Sequence, residues 1–237
     1  MKIYKMLYNI SNWLKMTLLD SCSPSMLFLT YFHEYSMMFI IIILSLTMYM
    51  IMNLILNKYY SNKFNEHQLI ETIWTIIPSI ILLFLALPSL KILYLLEELK
   101  SPNISIKIMG NQWYWSYEYG EFKKISFDSY MIKFNNMSKK NFFRLLDLDN
   151  NLVIPNNTLI RFIVSSNDVI HSFSMPSMGM KIDATPGRLN QMSSLLLYMG
   201  MYSGQCSEIC GANHSFMPIK LEVTNMNNFI NWTKSFI

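Results

Sequence analysis

Charged residues are scarce in this sequence. Only 14% of its 237 residues are Asp, Glu, Lys or Arg, and the mean hydropathy is +0.24; a typical soluble domain has about 25% charged residues. This composition argues against intrinsic disorder and low-complexity structure. The net charge of +4, from 19 basic and 15 acidic residues, is too balanced to indicate a polyanionic partner such as nucleic acid. Three cysteines are too few for a disulfide framework.

Two long segments carry no charge at all. Residues 35–57 and 72–90 are almost entirely apolar, and about 20 apolar residues suffice for a helix to cross a hydrocarbon core of about 30 Å. The second segment contains Pro78 and Pro88, which membrane helices tolerate because neighbouring helices satisfy the freed carbonyl groups. The alternative is two buried helices of a large soluble core, but the remaining chain is too short to enclose both. The sequence therefore predicts two membrane spans.

A short polar loop joins these spans, so they form a helical hairpin with both chain ends on one side of the membrane. Lysines flank the first span on both sides: Lys2, Lys5 and Lys15 precede it, and Lys58 and Lys63 follow it. The positive-inside rule therefore assigns no orientation. The tail shows no clean signal-peptide pattern, and Cys22 is predicted to be a free thiol near the membrane surface.

The sequence changes character after about residue 100. All seven glycines lie at or after Gly110, and short runs rich in β-branched and aromatic residues alternate with turn-forming residues. This pattern is typical of an antiparallel all-β sandwich or barrel, and the last dozen residues predict a short amphipathic helix. We divide the chain into an N-terminal tail (1–34), a transmembrane helical hairpin (35–95) and a β domain (96–237), whose size suits one compact core.

The most informative stretch is GQCSEICGANHSFMP, in a loop between two predicted strands. Cys206, Cys210, His214 and Met217 form a C-x3-C-x3-H-x2-M motif there, and His171 lies upstream in the run DVIHSFSM. Thiolate, imidazole and thioether are soft ligands that suit copper. The motif therefore predicts a copper site.

Two thiolates favour a site with two metal ions. One copper with two thiolates, two imidazoles and a thioether would be crowded, whereas two copper ions can share both sulfurs as bridges. Each ion then keeps one histidine and one weak axial ligand, which would be Met217 for one ion and the backbone carbonyl of Glu208 for the other. Because no position is left for a substrate, the chemistry predicted is electron transfer.

Three other interpretations of the motif stay open on these grounds. Cys206 and Cys210 can form a disulfide. They can also bind zinc together with His171 and His214 in a closed structural site, which leaves Met217 without a role. A copper-delivery protein uses a similar thiol pair, usually with one distant histidine.

The sequence resembles subunit 2 of cytochrome c oxidase, of the mitochondrially encoded kind. The resemblance runs from about Ser23 to the C-terminus, and its most specific parts are the aromatic run and the cysteine loop. It rests on HEYSMM, ETIWTIIPSIILLFLALPSLKILY, GNQWYWSYEY, SFDSYMI, DVIHSFSMPS, DATPGRLNQ and SGQCSEICGANHSFMPI. Residues 1 to about 22 match poorly, which leaves the processing of the tail unpredicted.

The resemblance implies a cupredoxin-like Greek-key fold for the β domain and a dinuclear copper A centre within it. The ligands map onto His171, Cys206, Glu208 through its carbonyl, Cys210, His214 and Met217. The resemblance also implies that the Glu208 carboxylate binds magnesium at the contact with subunit 1. A solvated loop glutamate is the alternative.

Further roles follow from the same resemblance. Trp113 would receive electrons from cytochrome c, although alternating aromatic residues on a strand usually serve core packing, with Trp113 and Trp115 on one face. Glu71, at the start of the second span, would mark the entrance of a proton path into subunit 1 or simply favour the helix N-terminus. Three acidic residues would attract basic cytochrome c or be solvated surface groups: Glu118, Asp149 and Asp168.

The implied function is that of the cytochrome c oxidase subunit that accepts electrons from cytochrome c and passes them to haem in subunit 1. Oxygen reduction and proton pumping occur in that partner, so the active site is not complete in this chain. The alternatives are a membrane-tethered copper carrier and a non-copper structural subunit of a quinol oxidase. The expected location is the mitochondrial inner membrane, as a multi-pass protein with the β domain and both termini in the intermembrane space. Roles for Cys22, His33 and His67 are not predicted.

Overall fold

The computed structural model of this chain describes residues 8–9, 18–59, 65–98, 101–122, 125–132 and 143–236. Contacts divide the chain into two compact units. The helical unit comprises Phe28–Leu95, and the β unit comprises Met1–Leu27 together with Leu96–Ile237.

Two long helices account for the helical unit. Helix α1 spans Pro24–Leu56 and α2 spans Gln68–Glu97. Their most apolar windows have mean hydropathies of 2.5 and 2.3, and no residue of either window is buried by the rest of the protein. Helix α2 continues through Pro78 and Pro88. Length, composition and an apolar surface left uncovered by protein are what lipid-facing helices require.

Helix α1 begins well before the charge-free segment that starts at residue 35. Ser23 explains this start, because its Oγ accepts a hydrogen bond from the backbone N–H of Met26 at 3.1 Å. Pro24 occupies the first helical position, where its missing N–H costs nothing. The division of the chain at residues 34 and 95 stays a prediction.

The β unit is a sandwich of two mixed sheets. Sheet 1 has the order β5 (Leu152–Pro155), β11 (Pro218–Thr224), β10 (Gly200–Cys206), β7 (His171–Met175), β8 (Met180–Ala184), and β1 (Tyr8–Asn9) also pairs with β10. Sheet 2 has the order β4 (Ser126–Ser129), β3 (Tyr114–Tyr119), β2 (Ile104–Asn111), β6 (Leu159–Ser166), β9 (Asn190–Leu195). Helix α3 (Met226–Lys234) follows the last strand, as the sequence predicts.

Among the described residues, three strand pairs are parallel, which differs from the purely antiparallel expectation. These pairs are β2 with β6, β5 with β11, and β1 with β10. Parallel partners cannot be joined by a tight hairpin, so each pair brings together strands that are distant in the sequence. The sheets therefore depend on long-range pairing that local sequence patterns do not reveal.

One hydrophobic core lies between the sheets. Side chains along β2 and β3 alternate between buried and more exposed positions, which sends Ile106, Ile108, Trp115 and Tyr117 into the core. Trp113 does not take part in this alternation, because it lies in the turn between β2 and β3. The prediction that Trp113 and Trp115 share a strand face is therefore wrong.

Candidate metal centre

The predicted ligands come from two neighbouring strands and the loop that follows one of them. His171 is the first residue of β7, and Cys206 is the last residue of β10. The two strands pair in antiparallel register, with Cys206 opposite Phe173. Residues 207–217 then form the loop to β11, with His214 in a short 3₁₀ turn. Strand pairing thus brings His171 to a loop that lies 35 residues further along the chain.

Sulfur, nitrogen and oxygen donors converge in this loop. The Cys206 Sγ lies 4.0 Å from the Cys210 Sγ and 3.9 Å from the His171 Nδ1. Cys206 also lies 3.4 Å from the Glu208 carbonyl oxygen. On the other side, the Cys210 Sγ lies 3.4 Å from the His214 Nδ1 and 3.5 Å from the Met217 Sδ. Among the described residues, the ligand atoms of His171, Cys206 and Cys210 all lie within 4.8 Å of one another. The Glu208 carbonyl, His214 and Met217 each lie within 3.5 Å of one of the two sulfurs.

Both cysteines of the motif are free. A disulfide requires an S–S distance of about 2.05 Å, far shorter than the 4.0 Å between Cys206 and Cys210. His171, Cys206, Cys210 and Met217 are buried, whereas Glu208 is exposed and His214 is half-buried. Buried thiols that converge with imidazoles and a buried thioether form a donor set that fits copper.

The surroundings make the two thiols unequal. Burial acts to raise the pKa of Cys206, but its hydrogen bond with His171 and the nearby backbone of Ser172 and Glu208 outweigh this and lower the pKa to about 7. Burial and the adjacent Cys206 raise the pKa of the Cys210 thiol to about 12. Cys206 is therefore the first of the pair to become a thiolate, the form that binds metals.

Two tryptophans support the ligand loop from the β2–β3 side. The indole N–H of Trp113 donates to the Cys210 carbonyl at 3.2 Å, and the side-chain amide of Gln112 donates to the same oxygen at 2.9 Å. The indole N–H of Trp115 donates to the Met217 carbonyl at 3.2 Å. Trp113 thus contacts the loop directly, and Gln112 is a supporting residue whose role the sequence analysis does not predict.

Asp168 lies against the centre. Its Oδ1 is 2.8 Å from the His171 Nε2, on the side of the ring opposite Cys206. Partial burial acts to raise the pKa of Asp168, but hydrogen bonds with His171, Val169 and Gln112 outweigh it and hold the pKa below its usual range. Sequence reasoning predicted this residue as a surface charge and did not predict its contact with a ligand.

The other predicted residues lie elsewhere. Glu118 is exposed on β3 and forms an ion pair with Lys107 at 3.2 Å. Asp149 is exposed, and its Oδ1 accepts the backbone N–H groups of Tyr130 and Asn150, each at 2.7 Å. Glu71 lies in the first turn of α2, in the helical unit.

The remaining two histidines and one cysteine lie outside the cysteine loop. His67 accepts the backbone N–H of Ile70 through Nδ1 at 3.3 Å, next to the start of α2, and His33 lies within α1. Cys22 is a free thiol, as predicted, and is buried with its Sγ 3.1 Å from the Ser177 carbonyl. The structure assigns none of them to the metal centre.

Comparison with known proteins identifies the family. Residues 104–224 match the family model for the periplasmic domain of cytochrome c oxidase subunit II, and residues 11–92 match the model for its transmembrane domain. The chain belongs to the cytochrome c oxidase subunit II family. It is therefore a subunit of an oxidoreductase complex, and the family implies a copper centre.

Named relatives agree along nearly the whole chain. Cytochrome c oxidase subunit 2 of Periplaneta americana is 53% identical over 94% of this chain and 97% of its own length. That of Choristoneura rosaceana is 51% identical over 96% of this chain and 100% of its own. The crystal structure of the periplasmic domain of subunit II from Bradyrhizobium japonicum is 42% identical, with a TM-score of 0.54 over 59% of this chain and 96% of that chain. This agreement confirms the predicted cupredoxin-like fold of the β unit.

Proposed function

We propose that this chain is the subunit of cytochrome c oxidase that accepts electrons from cytochrome c at a dinuclear copper A centre. The observation that carries the proposal is the convergence of two free, buried thiols 4.0 Å apart with two imidazoles, a thioether and a backbone carbonyl. Bound copper would supply a one-electron redox couple. Haem and the oxygen-reducing site, with the associated proton pumping, belong to subunit 1.

The residues of this chain have distinct roles in that function. Cys206, Cys210, His171 and His214 would hold the copper. Met217 and the Glu208 carbonyl would complete the ligand set. Because the thiols are buried, the fold keeps bulk water from them and holds them in place, which reduces the rearrangement that accompanies electron transfer.

Trp113 is the proposed route for electrons from cytochrome c. Its ring is partly exposed, and its N–H contacts the carbonyl of a copper ligand, Cys210. Glu118, Asp149 and Asp168 would attract a basic partner and so speed its association at low ionic strength. Glu208 would contribute its exposed carboxylate to a magnesium ion shared with subunit 1, since carboxylates suit that ion.

The two apolar helices would anchor the subunit in the mitochondrial inner membrane beside the other subunits. The β unit and both termini would then lie in the intermembrane space, and Glu71 would open a proton path into subunit 1. In such an oxidising compartment the thiols need protection before copper binds. A relative, 41% identical with a TM-score of 0.51, was crystallised as a mixed disulfide with a thioredoxin-like protein, which supports reduction by a dithiol protein here.

Metal content and spectra of the full-length chain in detergent test the proposal. After loading with copper, we expect two copper ions per chain, near-infrared absorption, and a paramagnetic resonance spectrum of one electron shared by two equivalent copper nuclei. Cys206→Ser and Cys210→Ser should each abolish this spectrum, and Cys22→Ser, a matched change of a buried thiol outside the centre, should retain it. Binding of a single reversible copper would instead indicate a copper carrier, and a preference for zinc would indicate a structural site.

A further inference from the structure

Each of the two ring nitrogen atoms of His171 lies against a different side chain. The side chain is fully buried, its Nδ1 faces the Cys206 Sγ at 3.9 Å, and its Nε2 lies 2.8 Å from the Asp168 Oδ1. A metal binds the unprotonated nitrogen of a neutral imidazole, so the proton must reside on the other one. A carboxylate that accepts the Nε2–H fixes that tautomer and the orientation of the ring.

Asp168 is itself fixed by several donors. Its Oδ1 accepts the backbone N–H of Val169 at 2.6 Å, and it also lies 3.2 Å from the hydroxyl of Ser166. Its Oδ2 accepts the backbone N–H of Gln112 at 2.6 Å. Both carboxylate oxygens are therefore engaged within the chain: Oδ1 contacts His171, and Oδ2 contacts the turn that carries Trp113.

Gly110 provides the space that the ring occupies. A Cβ at this position would lie 2.8 Å from the His171 Cδ2, 3.0 Å from its Cγ and 3.1 Å from its Cβ. Gly110 is not among the glycines with a positive φ, so its backbone would suit any residue and only the ring excludes a side chain. The ring of Trp115, whose residue pairs with Gly110 across β2 and β3, also stands edge-on to His171, with centroids 5.9 Å apart.

We propose that Gly110 and Asp168 are positioning residues for the copper ligand His171, an inference that rests on the proposed function of the centre. Gly110 admits the ring, and Asp168 holds Nε2–H so that the lone pair of Nδ1 points to the metal. Through Gln112, the same carboxylate keeps the turn of Trp113 in register with the ligand. Asp168 thus acts on the centre directly, beyond any part it has in attracting a basic partner.

The test compares Asp168→Ala and Gly110→Ala with matched changes away from the centre. Asp128→Asn removes an exposed carboxylate on β4, and Gly120→Ala adds a methyl group at the end of β3, where the nearest atom lies at 3.3 Å. Each full-length variant is loaded with copper in detergent. Copper affinity by competition with a chelator, the copper hyperfine pattern and the reduction potential are then measured.

We expect Asp168→Ala to weaken copper binding by about 10- to 100-fold, the usual effect of removing a partner of a ligating histidine. Its hyperfine pattern should become unequal at the two metals. Its reduction potential should rise, because the lost negative charge favoured the oxidised centre. Gly110→Ala should likewise weaken copper binding and make the hyperfine pattern unequal at the two metals. Both matched controls should retain the wild-type affinity, spectrum and potential.

Two results would overturn the inference. One is an Asp168→Ala centre with wild-type affinity, spectrum and potential whose assembled oxidase shows only a raised KM for cytochrome c at low salt, since that is a docking role. The other is a wild-type spectrum for Gly110→Ala. If Gly110→Ala fails to fold, which circular dichroism of the metal-free chain reports, Asp168→Ala decides alone. A wild-type chain that binds no copper pair would instead refute the proposed function.

Discussion

The three cysteines of this chain have the same side chain and three different environments. Burial raises the pKa of Cys22 to about 12, whereas the hydrogen bond with His171 lowers that of Cys206 to about 7. Cys210, next to Cys206, is shifted upward. The pKa of each thiol therefore depends on the residues packed around it. For Cys206 the residue that lowers the pKa, His171, comes from another strand.

This difference predicts an order of reaction with pH. In the metal-free, reduced chain, alkylation of Cys206 should rise as the pH passes through about 7, because the thiolate is the reactive form and its pKa lies below the ordinary value of 9.0. Cys210 and Cys22 should stay slow up to mildly alkaline pH. Peptide mass spectrometry after timed alkylation measures each rate.

A variant without the imidazole that lowers the Cys206 pKa is the control for this experiment. His171→Ala takes away the hydrogen bond that lowers the pKa, so the Cys206 midpoint should move upward. Faster alkylation of Cys210 than of Cys206 near neutral pH would contradict the prediction.

The proposed ligands are easier to find in the sequence than the residues that hold them. Four of them fall within one short motif, whose donor types indicate copper. Gly110 and Gln112 contact the proposed ligands because strands distant in the sequence meet at one end of the sandwich, whereas Asp168 contacts His171 from only three positions away. These residues lie within motifs that resemble the family, but the sequence does not show which atoms they contact.

At the scale of elements, β10 must pack closely on β7 for the ligands to meet. Gly204 of β10 is the point of closest approach: a Cβ there would lie 2.0 Å from the Ser174 carbonyl oxygen and 2.6 Å from the Met175 Sδ. Neither neighbour can yield easily, because one is backbone and the other is buried. A side chain at this position is therefore excluded by space.

We predict that Gly204→Ala destabilises the β unit by about 1–3 kcal/mol or more, the usual cost of overpacking. Urea unfolding of the full-length chain in detergent, followed by tryptophan fluorescence, measures the change. Gly120→Ala, where the added methyl meets one backbone oxygen at 3.3 Å, should cost less. Equal stability of the two variants would show that β10 and β7 can separate at no cost.

A buried ion pair fixes another element. Lys220 of β11 pairs with Asp147, and both side chains are almost fully buried. Asp147 also accepts the backbone N–H of Phe143 at 2.7 Å, so the pair attaches the segment before β5 to the outer side of sheet 1. A lysine within the apolar run of β11 gives no hint of its partner in the sequence.

Lys220→Met should destabilise the chain by about 3–5 kcal/mol, because it removes the cation from a buried carboxylate. The double variant Lys220→Met with Asp147→Leu should recover most of that loss, since no buried charge remains. Chemical unfolding of the wild type and of both variants measures this. A double variant less stable than the single one would mean that the ion pair itself contributes more than its desolvation costs.

For the whole molecule, amino-acid composition alone predicts which part of the chain forms the long helices and which part forms the β sandwich. The two charge-free segments lie almost entirely within α1 and α2. The part of the chain that contains the glycines and many β-branched residues forms most of the β unit. The parallel pairs were not predictable, because turn and alternation signals report only strands that are adjacent in the sequence. The start of α1 at Pro24 depends on a cap at Ser23, outside the apolar run.

The helical unit gives a prediction about membrane insertion. Leu82 lies in the middle of the apolar part of α2 and is exposed. Leu82→Lys should reduce the membrane-integrated fraction, since a lysine at the centre of a span costs about 2.5–3.5 kcal/mol. Resistance of the chain to carbonate extraction measures integration, and Leu82→Ala serves as the uncharged control. Full integration of Leu82→Lys would argue that α2 does not cross the bilayer.

The order of strands in sheet 1 has a consequence for biosynthesis. Strands β5, β7 and β8 leave the ribosome before β10 and β11, yet β5 and β7 are connected within the sheet only once the β10–β11 hairpin inserts between them. That hairpin carries the cysteine loop and is translated after β5, β7 and β8. The donors from β7 and from the cysteine loop can therefore meet only after β10 has emerged from the ribosome and paired with β7, so copper cannot be held by both before that pairing.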